Sequence, residues 1–308
     1  MILRRLVGGL LGTRSATAVK SHGKPAPFVL VLMRPSVGRH LEVFSEVMEV
    51  VAAGLSELGH PASTRINEFV PGARHIVFAP RLLRAEDVES VPASTILYNF
   101  EPLHLAVIDE RRAFLSHYAP RFAVWDYSAA NVAYLAQRGI AARYVPLGYA
   151  RSLTRIERAP DEDIDVLFYG EVTSRRAAVL DALRSTGLNV VAATDAYGTE
   201  RDALIARAKV VLNVHRDEDV QALETPRVFY LLANRKAVVS EAKAGVGVEA
   251  GLEACVAMAA HGDLANACVA LVEDERRRKA LEEAGFRWMS GRNEAHILAA
   301  ALDAADAA

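Results

Sequence analysis

Polar residues able to hold a charged ligand recur in the second half of this chain, each group placed at the end of an apolar run. Gly170, Glu171, Ser174, Arg175 and Arg176 follow the run Ile164–Tyr169. Asn213, His215 and Arg216 end the run Val210–Val214, and Glu224, Thr225 and Arg227 open an amphipathic stretch, Pro226–Leu232. A guanidinium fork matches the oxygens of a phosphate, and a carboxylate accepts hydrogen bonds from a pair of hydroxyls. Arginines mixed with a few hydrogen-bonding groups therefore suit a diphosphate carrying a sugar or ribose. The residues alone read as a nucleotide-sugar site.

The elements that must position them follow from periodicity. Ile164–Tyr169, Leu188–Ala193, Val210–Val214 and Ala237–Val239 are continuous apolar runs, as in strands covered on both faces of a parallel sheet. Arg176–Arg184 and Pro226–Leu232 carry apolar residues at helical spacing. Strands alternating with helices at this rhythm predict βαβ units in a doubly wound sheet, with ligands beyond the carboxyl ends of the strands, near helix N-termini.

These residues resemble the C-terminal half of GT-B glycosyltransferases, in particular the bacterial group 1 branch related to spore-maturation glycosyltransferase-like proteins. The resemblance rests on Asp165–Gly170 with Arg175 and Arg176, on Tyr197–Arg201, on Leu212–His215, on Glu224 with Thr225–Arg227, and on Leu231–Asn234 with Val238–Glu241. It reaches back through Trp125–Tyr149 and covers about half of the chain clearly. It implies an α/β fold of two Rossmann-like, doubly wound parallel-sheet domains facing a central cleft. Gly170, Arg175, Arg176, Asn213, His215, Glu224, Thr225 and Arg227 are then the donor-binding residues. In enzymes of this kind a second glutamate in the last helix before the final strand often contacts the donor ribose. Tyr230 stands there in this chain, so that contact falls to Glu224.

Composition narrows the alternatives. The chain has 308 residues, 52% hydrophobic and 24% charged, which suits two ordinary globular domains. A net charge of −2 gives no basic face for nucleic acid. The two cysteines, Cys255 and Cys268, form neither a disulfide framework nor a zinc pattern. No stretch reaches the roughly 18–20 apolar residues of a membrane span. Residues 1–23 read as a flexible leader, or as a basic, weakly amphipathic arm that could touch a membrane surface, and the expected location is cytoplasmic. Residues 24–150 read as an acceptor domain, 151–290 as the nucleotide-sugar domain and 291–308 as a C-terminal helix. The acidic stretch Tyr149–Asp163 joins the two domains.

In the first half, strands are expected at Phe28–Met33, His75–Phe78, Thr95–Asn99, Arg121–Trp125 and Arg143–Val145, and helices at Leu41–Leu58 and Ala129–Arg138. The loop Arg34–His40 lacks GxGxxG, and no GxxxxGK[ST] occurs, so dinucleotide and P-loop readings lose their main support. Three residues are candidates for catalysis. Glu101, just beyond a strand end and three residues before His104, is the leading one for a catalytic or acceptor-orienting group, against a solvent-facing or turn-capping role. His40 is a general base or merely the start of a helix. Asp126 orients an acceptor or bonds the first turn of the helix that Ser128 caps. After Glu241 the chain reads as helical with glycine punctuation, ending in the alanine-rich Glu294–Ala307.

No aspartate pair sits where a metal-dependent transferase would hold one: Asp161–Asp163 lies in the linker and Asp217–Asp219 in a polar loop. The expected chemistry is metal-independent transfer without a further cofactor, from a nucleotide-sugar donor to a glycan, lipid-linked or protein acceptor. Arg175, Arg176 and Arg227 would neutralise the leaving group. A catalytically inactive binding or scaffold protein of the same fold is the alternative, since Tyr230 replaces the expected glutamate. An epimerase or sugar-phosphate enzyme of this architecture is the remaining one.

Overall fold

A computed structural model of the chain describes residues 26–34, 40–103, 114–218, 223–242 and 248–303. The N-terminal arm, most of the loop after the first strand, His104 and the glycines Gly245 and Gly247 lie outside the described residues, as does the side chain of His40.

The first half contains β1 (Phe28–Leu32), α1 (Ser45–Glu57), β2 (Ala62–Ile66), β3 (Arg74–Phe78), β4 (Ile96–Asn99), β5 (Ala123–Asp126), α2 (Ala129–Ala136) and β6 (Arg143–Tyr144). Its six strands form one sheet in the order β2-β1-β3-β4-β5-β6, every pairing parallel. The second half contains β7 (Ile164–Tyr169), α3 (Ser174–Arg184), β8 (Val190–Ala193), α4 (Gly198–Arg207), β9 (Ala208–Asn213), α5 (Thr225–Ala233), β10 (Ala237–Glu241), β11 (Ala257–Ala259), α6 (Leu264–Glu273), α7 (Glu275–Ser290) and α8 (Glu294–Asp303). Its five strands are also all parallel, in the order β11-β10-β9-β7-β8.

Both sheets are doubly wound. The chain leaves β1 for β2 on one side and then crosses to β3 on the other; it leaves β7 for β8 and then crosses to β9. The crevice where the order reverses lies beyond the carboxyl ends of those central strands, which is where α/β sheets hold ligands. β7 and β9 form that pair in the second half, and they deliver Gly170 and Asn213 to its mouth. Their apolar runs are buried because helices cover both faces of the sheet.

Several elements differ from the expectation. β2 is a polar edge strand with one neighbour, so it carries no apolar run to read. The helix expected at Leu41–Leu58 begins as a 3-10 turn, His40–Phe44, and becomes α-helical only from Ser45. After Glu241 the chain is not wholly helical: β11, three residues long, adds an edge strand to β10. α7 runs from Glu275 to Ser290, with Gly285 where it approaches α5. A Cβ on Gly285 would lie 2.6 Å from Leu232 Cδ2.

The closing helix α8 returns to the first half and packs on α1, where Gly54 makes room for it: a Cβ there would lie 2.7 Å from Glu294 Cγ. The stretch between the two sheets is held rather than loose. Thr154 Oγ1 donates to the Ala233 carbonyl at 2.8 Å, and Asn234 Oδ1 accepts from the backbone of Arg155 and Ile156 at 2.9 Å each.

Candidate functional site

The strand ends of the second sheet bring the predicted donor residues into one cluster. β7 ends at Tyr169, and Gly170 turns the chain at φ +126°, a backbone region that side chains avoid. Thr173 then caps α3, accepting from the Arg176 backbone N–H, and Arg175 and Arg176 occupy its first turn. The two arginines part company there. Arg176 is buried: its Nε donates to the Val214 carbonyl at 3.0 Å, one terminal nitrogen to the Glu171 carbonyl at 2.9 Å and the other to Glu224 Oε1 at 2.9 Å. Arg175 grips the Glu241 carboxylate with both terminal nitrogens and also donates to the His215 carbonyl at 3.2 Å.

From the other side of the crevice, α5 contributes Arg227. Its Nη1 lies 2.7 Å from Glu224 Oε2 in an ion pair and donates to Asn213 Oδ1 at 3.1 Å, and its guanidinium lies 4.9 Å from the centre of the Tyr169 ring. Pro226 sits in the first turn of α5, where its missing N–H costs no helical hydrogen bond. Thr225, the first residue of α5, is buried and turned back on the Leu223 carbonyl. Asn213 is fixed by donating to Ser240 Oγ at 3.0 Å.

Glu241, the last residue of β10, is a hub that sequence reasoning left out of the site. Beside Arg175 it accepts from the His215 backbone N–H at 3.1 Å, and the imidazoles of His215 and His261 stand 3.8 and 3.7 Å from the same oxygen. Burial alone would raise its carboxyl pKa, but Arg175 and the His215 N–H hold it below the usual value. His215 is pushed the other way: burial lowers it, so the ring stays neutral near pH 7 although Glu241 and Glu224 oppose the shift. Its Nε2 is buried with no hydrogen-bond partner among the described residues. The cue in the sequence was a charged residue ending an apolar strand.

With His215 neutral, three arginines share two carboxylates in this cluster, and Asp217 and Glu218 also bear on Arg175. Every arginine already has a hydrogen-bonded partner, so their geometry is set before any ligand arrives.

The candidates from the first half lie at the carboxyl ends of the first sheet. Glu101, beyond β4, accepts from Arg81 Nε through both oxygens, at 2.7 and 2.6 Å. Asp126 takes the second of its two roles. Fully buried, it accepts from the Ser128 backbone N–H at 2.8 Å, from Asn99 Nδ2 at 2.7 Å and from Asn131 Nδ2 at 3.0 Å, which ties β4, β5 and the first turn of α2 together. Burial pushes its carboxyl up to about 7 against those hydrogen bonds. Asn131 in turn donates to the Glu101 carbonyl at 2.9 Å, so Asp126 acts on Glu101 through the shape of the loop. His40 belongs to the turn before α1, its side chain outside the described residues.

Tyr230 is not aimed into the arginine cluster. Its hydroxyl donates to Asp202 Oδ2 at 2.8 Å and accepts from Arg155 Nε at 3.1 Å, with the Arg201 guanidinium 4.5 Å from its ring centre. Arg201 donates across to Glu46 on α1 at 2.7 Å, and Arg155 to Glu49 at 2.6 Å. Tyr230 is therefore part of the seam between the two halves.

The fold is that of GT-B glycosyltransferases, in which two such domains face one another. The HepE protein of Anabaena, solved with UDP and glucose, aligns at a TM-score of 0.63 with 14% identity over 90% of this chain and 100% of that one. Sucrose-phosphate synthase of Thermosynechococcus elongatus aligns at 0.60 with 11% identity over 90% and 98%. WaaG, a glycosyltransferase involved in lipopolysaccharide biosynthesis, aligns at 0.55 with 11% identity over 89% and 98%. No family model matches the sequence. Among curated relatives, one uncharacterized protein of Acanthamoeba polyphaga mimivirus is 24% identical over 207 residues, 66% of this chain and 64% of that protein. A second from the same virus is 27% identical over 156 residues, 49% of this chain and 21% of its own length. The chain thus spans less than two thirds of the curated relatives it matches. No helix among the described residues is long and apolar enough to cross a membrane.

Proposed function

We propose that the protein is a glycosyltransferase of the spore-maturation-like branch that moves a sugar from a nucleoside-diphosphate sugar to a glycan, lipid-linked or protein acceptor. The observation that carries this reading is the arginine cluster beyond β7 and β9: three pre-set guanidinium groups sharing two carboxylates, in the crevice where the strand order reverses. In the reaction the bond from the anomeric carbon to the β-phosphate oxygen breaks as the acceptor oxygen bonds to that carbon. The diphosphate leaves with the bonding electrons, and the acceptor proton passes to a base. Arg227 and Arg175, the more open arginines, meet the charge that builds on the leaving diphosphate. Arg176, held by two backbone carbonyls and Glu224, keeps the other groups in place. Glu224 accepts from hydroxyls of the sugar or ribose. Glu101, oriented by Arg81, faces the acceptor from the other half. No further cofactor enters this scheme, in which the arginines supply the charge a metal ion would otherwise provide.

Tyr230 favours a second reading, a nucleotide-binding protein without transfer activity, because its hydroxyl is committed to Asp202 and Arg155. One assay separates the two. The full-length protein is screened with UDP, GDP, CDP, ADP and dTDP for thermal stabilisation, and the matching nucleotide sugars are then incubated with glycan, lipid and protein acceptors. Stabilisation followed by release of the diphosphate supports the transferase. Stabilisation with no turnover in any acceptor supports the binding protein, and no stabilisation by any nucleotide overturns both.

A further inference from the structure

Tyr169 ends β7 at the crevice, and its side chain is more than nine-tenths buried. Buried tyrosines find partners for their hydroxyls because a phenolic O–H removed from water is otherwise left unsatisfied. Other tyrosines here obey the rule. The hydroxyl of Tyr98 donates to the Val145 carbonyl at 2.8 Å, that of Tyr118 to the Leu83 carbonyl at 2.5 Å, and that of Tyr230 to Asp202 at 2.8 Å. The Tyr169 hydroxyl has no such bond among the described residues, yet it is not one of the polar atoms sealed from solvent without a partner. The hydroxyl therefore keeps some contact with solvent, where a ligand could reach it.

Its surroundings say which kind of ligand. One face of the ring carries the Arg227 guanidinium at 4.9 Å. The charged groups that bear on the phenol are Arg227 and Glu224 at the start of α5, Arg201 on α4 and Glu46 on α1. Burial pushes its pKa up to about 12, with Glu46 and Glu224 adding to the shift and both arginines opposing it, so the group is an O–H donor throughout the neutral range. A fixed donor beside a phosphate-seeking arginine matches an anionic oxygen.

We propose that the Tyr169 hydroxyl donates a hydrogen bond to a phosphate oxygen of the nucleoside diphosphate, while the ring sets the plane of Arg227. This rests on the donor-site reading above and adds to it a binding residue that the strand pattern hides, since Tyr169 reads as the last apolar residue of β7.

The test is calorimetric titration of the full chain with UDP, GDP and ADP, comparing wild type, Y169F and Y169L. For the nucleotide that binds wild type, Y169F is expected to weaken affinity roughly tenfold to a hundredfold, the usual effect of a lost hydrogen bond to a charged group. Because the hydroxyl bonds nothing among the described residues, Y169F should leave the unfolding midpoint within about 2 °C of wild type. Y169L removes the ring as well and is expected to bind more weakly than Y169F. Unchanged affinity in Y169F overturns the hydroxyl contact, as does a clear loss of stability, which would mean that the hydroxyl serves the fold. Equal binding by Y169L and Y169F overturns the role of the ring. Wild type binding none of the nucleotides removes the donor-site reading itself and this inference with it.

Discussion

Two arginine clusters lie close together in this molecule and are built differently. At the strand ends of the second sheet, Arg175, Arg176 and Arg227 meet Glu224 and Glu241, three cations to two anions. At the seam between the halves, Arg155 and Arg201 meet Glu46, Glu49 and Asp202, two cations to three anions, with Tyr230 bonded among them. The central pair of the seam is nearly closed to solvent, with side chains 7% exposed for Arg201 and 10% for Glu46; Arg227 and Glu224 are 16% and 28% exposed. The seam is nearly closed to solvent, whereas the strand-end cluster gathers three guanidinium groups on two carboxylates and keeps some solvent access. A site that binds an anion needs both of those properties. A contact that holds two domains needs neither.

The comparison breaks most visibly if the seam is cut. R201A would leave Glu46 and Asp202 with Arg155 alone in a nearly closed space, a loss of up to about 3–5 kcal/mol. Urea unfolding should show that loss, and a change of less than about 1 kcal/mol would mean that the seam does not hold the halves together.

Glu294 sharpens the contrast as a third kind of site, a buried carboxylate with little compensation. It accepts from the Gly148 backbone N–H, its Oε1 has no partner among the described residues, and burial pushes it up to about 8, against a smaller opposing pull from Arg292. A carboxyl raised on folding keeps its proton longer in the native state. Stability should therefore fall as pH rises from the ordinary carboxylate value towards 8, by a few kcal/mol across that window. E294Q should flatten the dependence, and parallel pH profiles for the two proteins would refute the assignment.

R227A tests the strand-end cluster. It should weaken nucleotide binding by about 1.5–3 kcal/mol, while Glu224 keeps Arg176 as its partner and the fold survives. Calorimetry beside a melting curve reads both, and unaltered affinity would remove Arg227 from the site. The smallest effect is expected at the exposed pair of Arg216 and Glu171, 3.3 Å apart: R216A should change stability by less than about 0.5 kcal/mol. A larger loss would mean that the loop after β9 carries structure of its own.

Much of the frame was legible in order along the chain. β7 was read at its observed bounds, because a strand buried on both faces is a plain apolar run. Ser128 was read as the cap of α2, and it accepts from the Asn131 N–H. Local patterns fail where the deciding neighbour is remote or the element has one partner. Polar β2 and three-residue β11 sit on sheet edges, and the close approach of α7 to α5 rests on Gly285 beside Leu232.

The same division runs through the site. The sequence by itself determined the alternation of strands and helices, and with it the delivery of Gly170, Arg175, Arg176, Asn213, His215 and Arg227 to strand and helix ends, because side-chain periodicity and helix starts are local properties. Only the tertiary structure decided the partners. Arg175 meets Glu241 across 66 positions and Arg201 meets Glu46 across 155. Tyr230 went to the seam and Asp126 to a helix turn, and the Tyr169 hydroxyl has no bond among the described residues. A charged or hydroxylic side chain shows in the sequence what it can bond. Which group it does bond depends on the chain that folds against it, and that choice separates a binding group from a structural one.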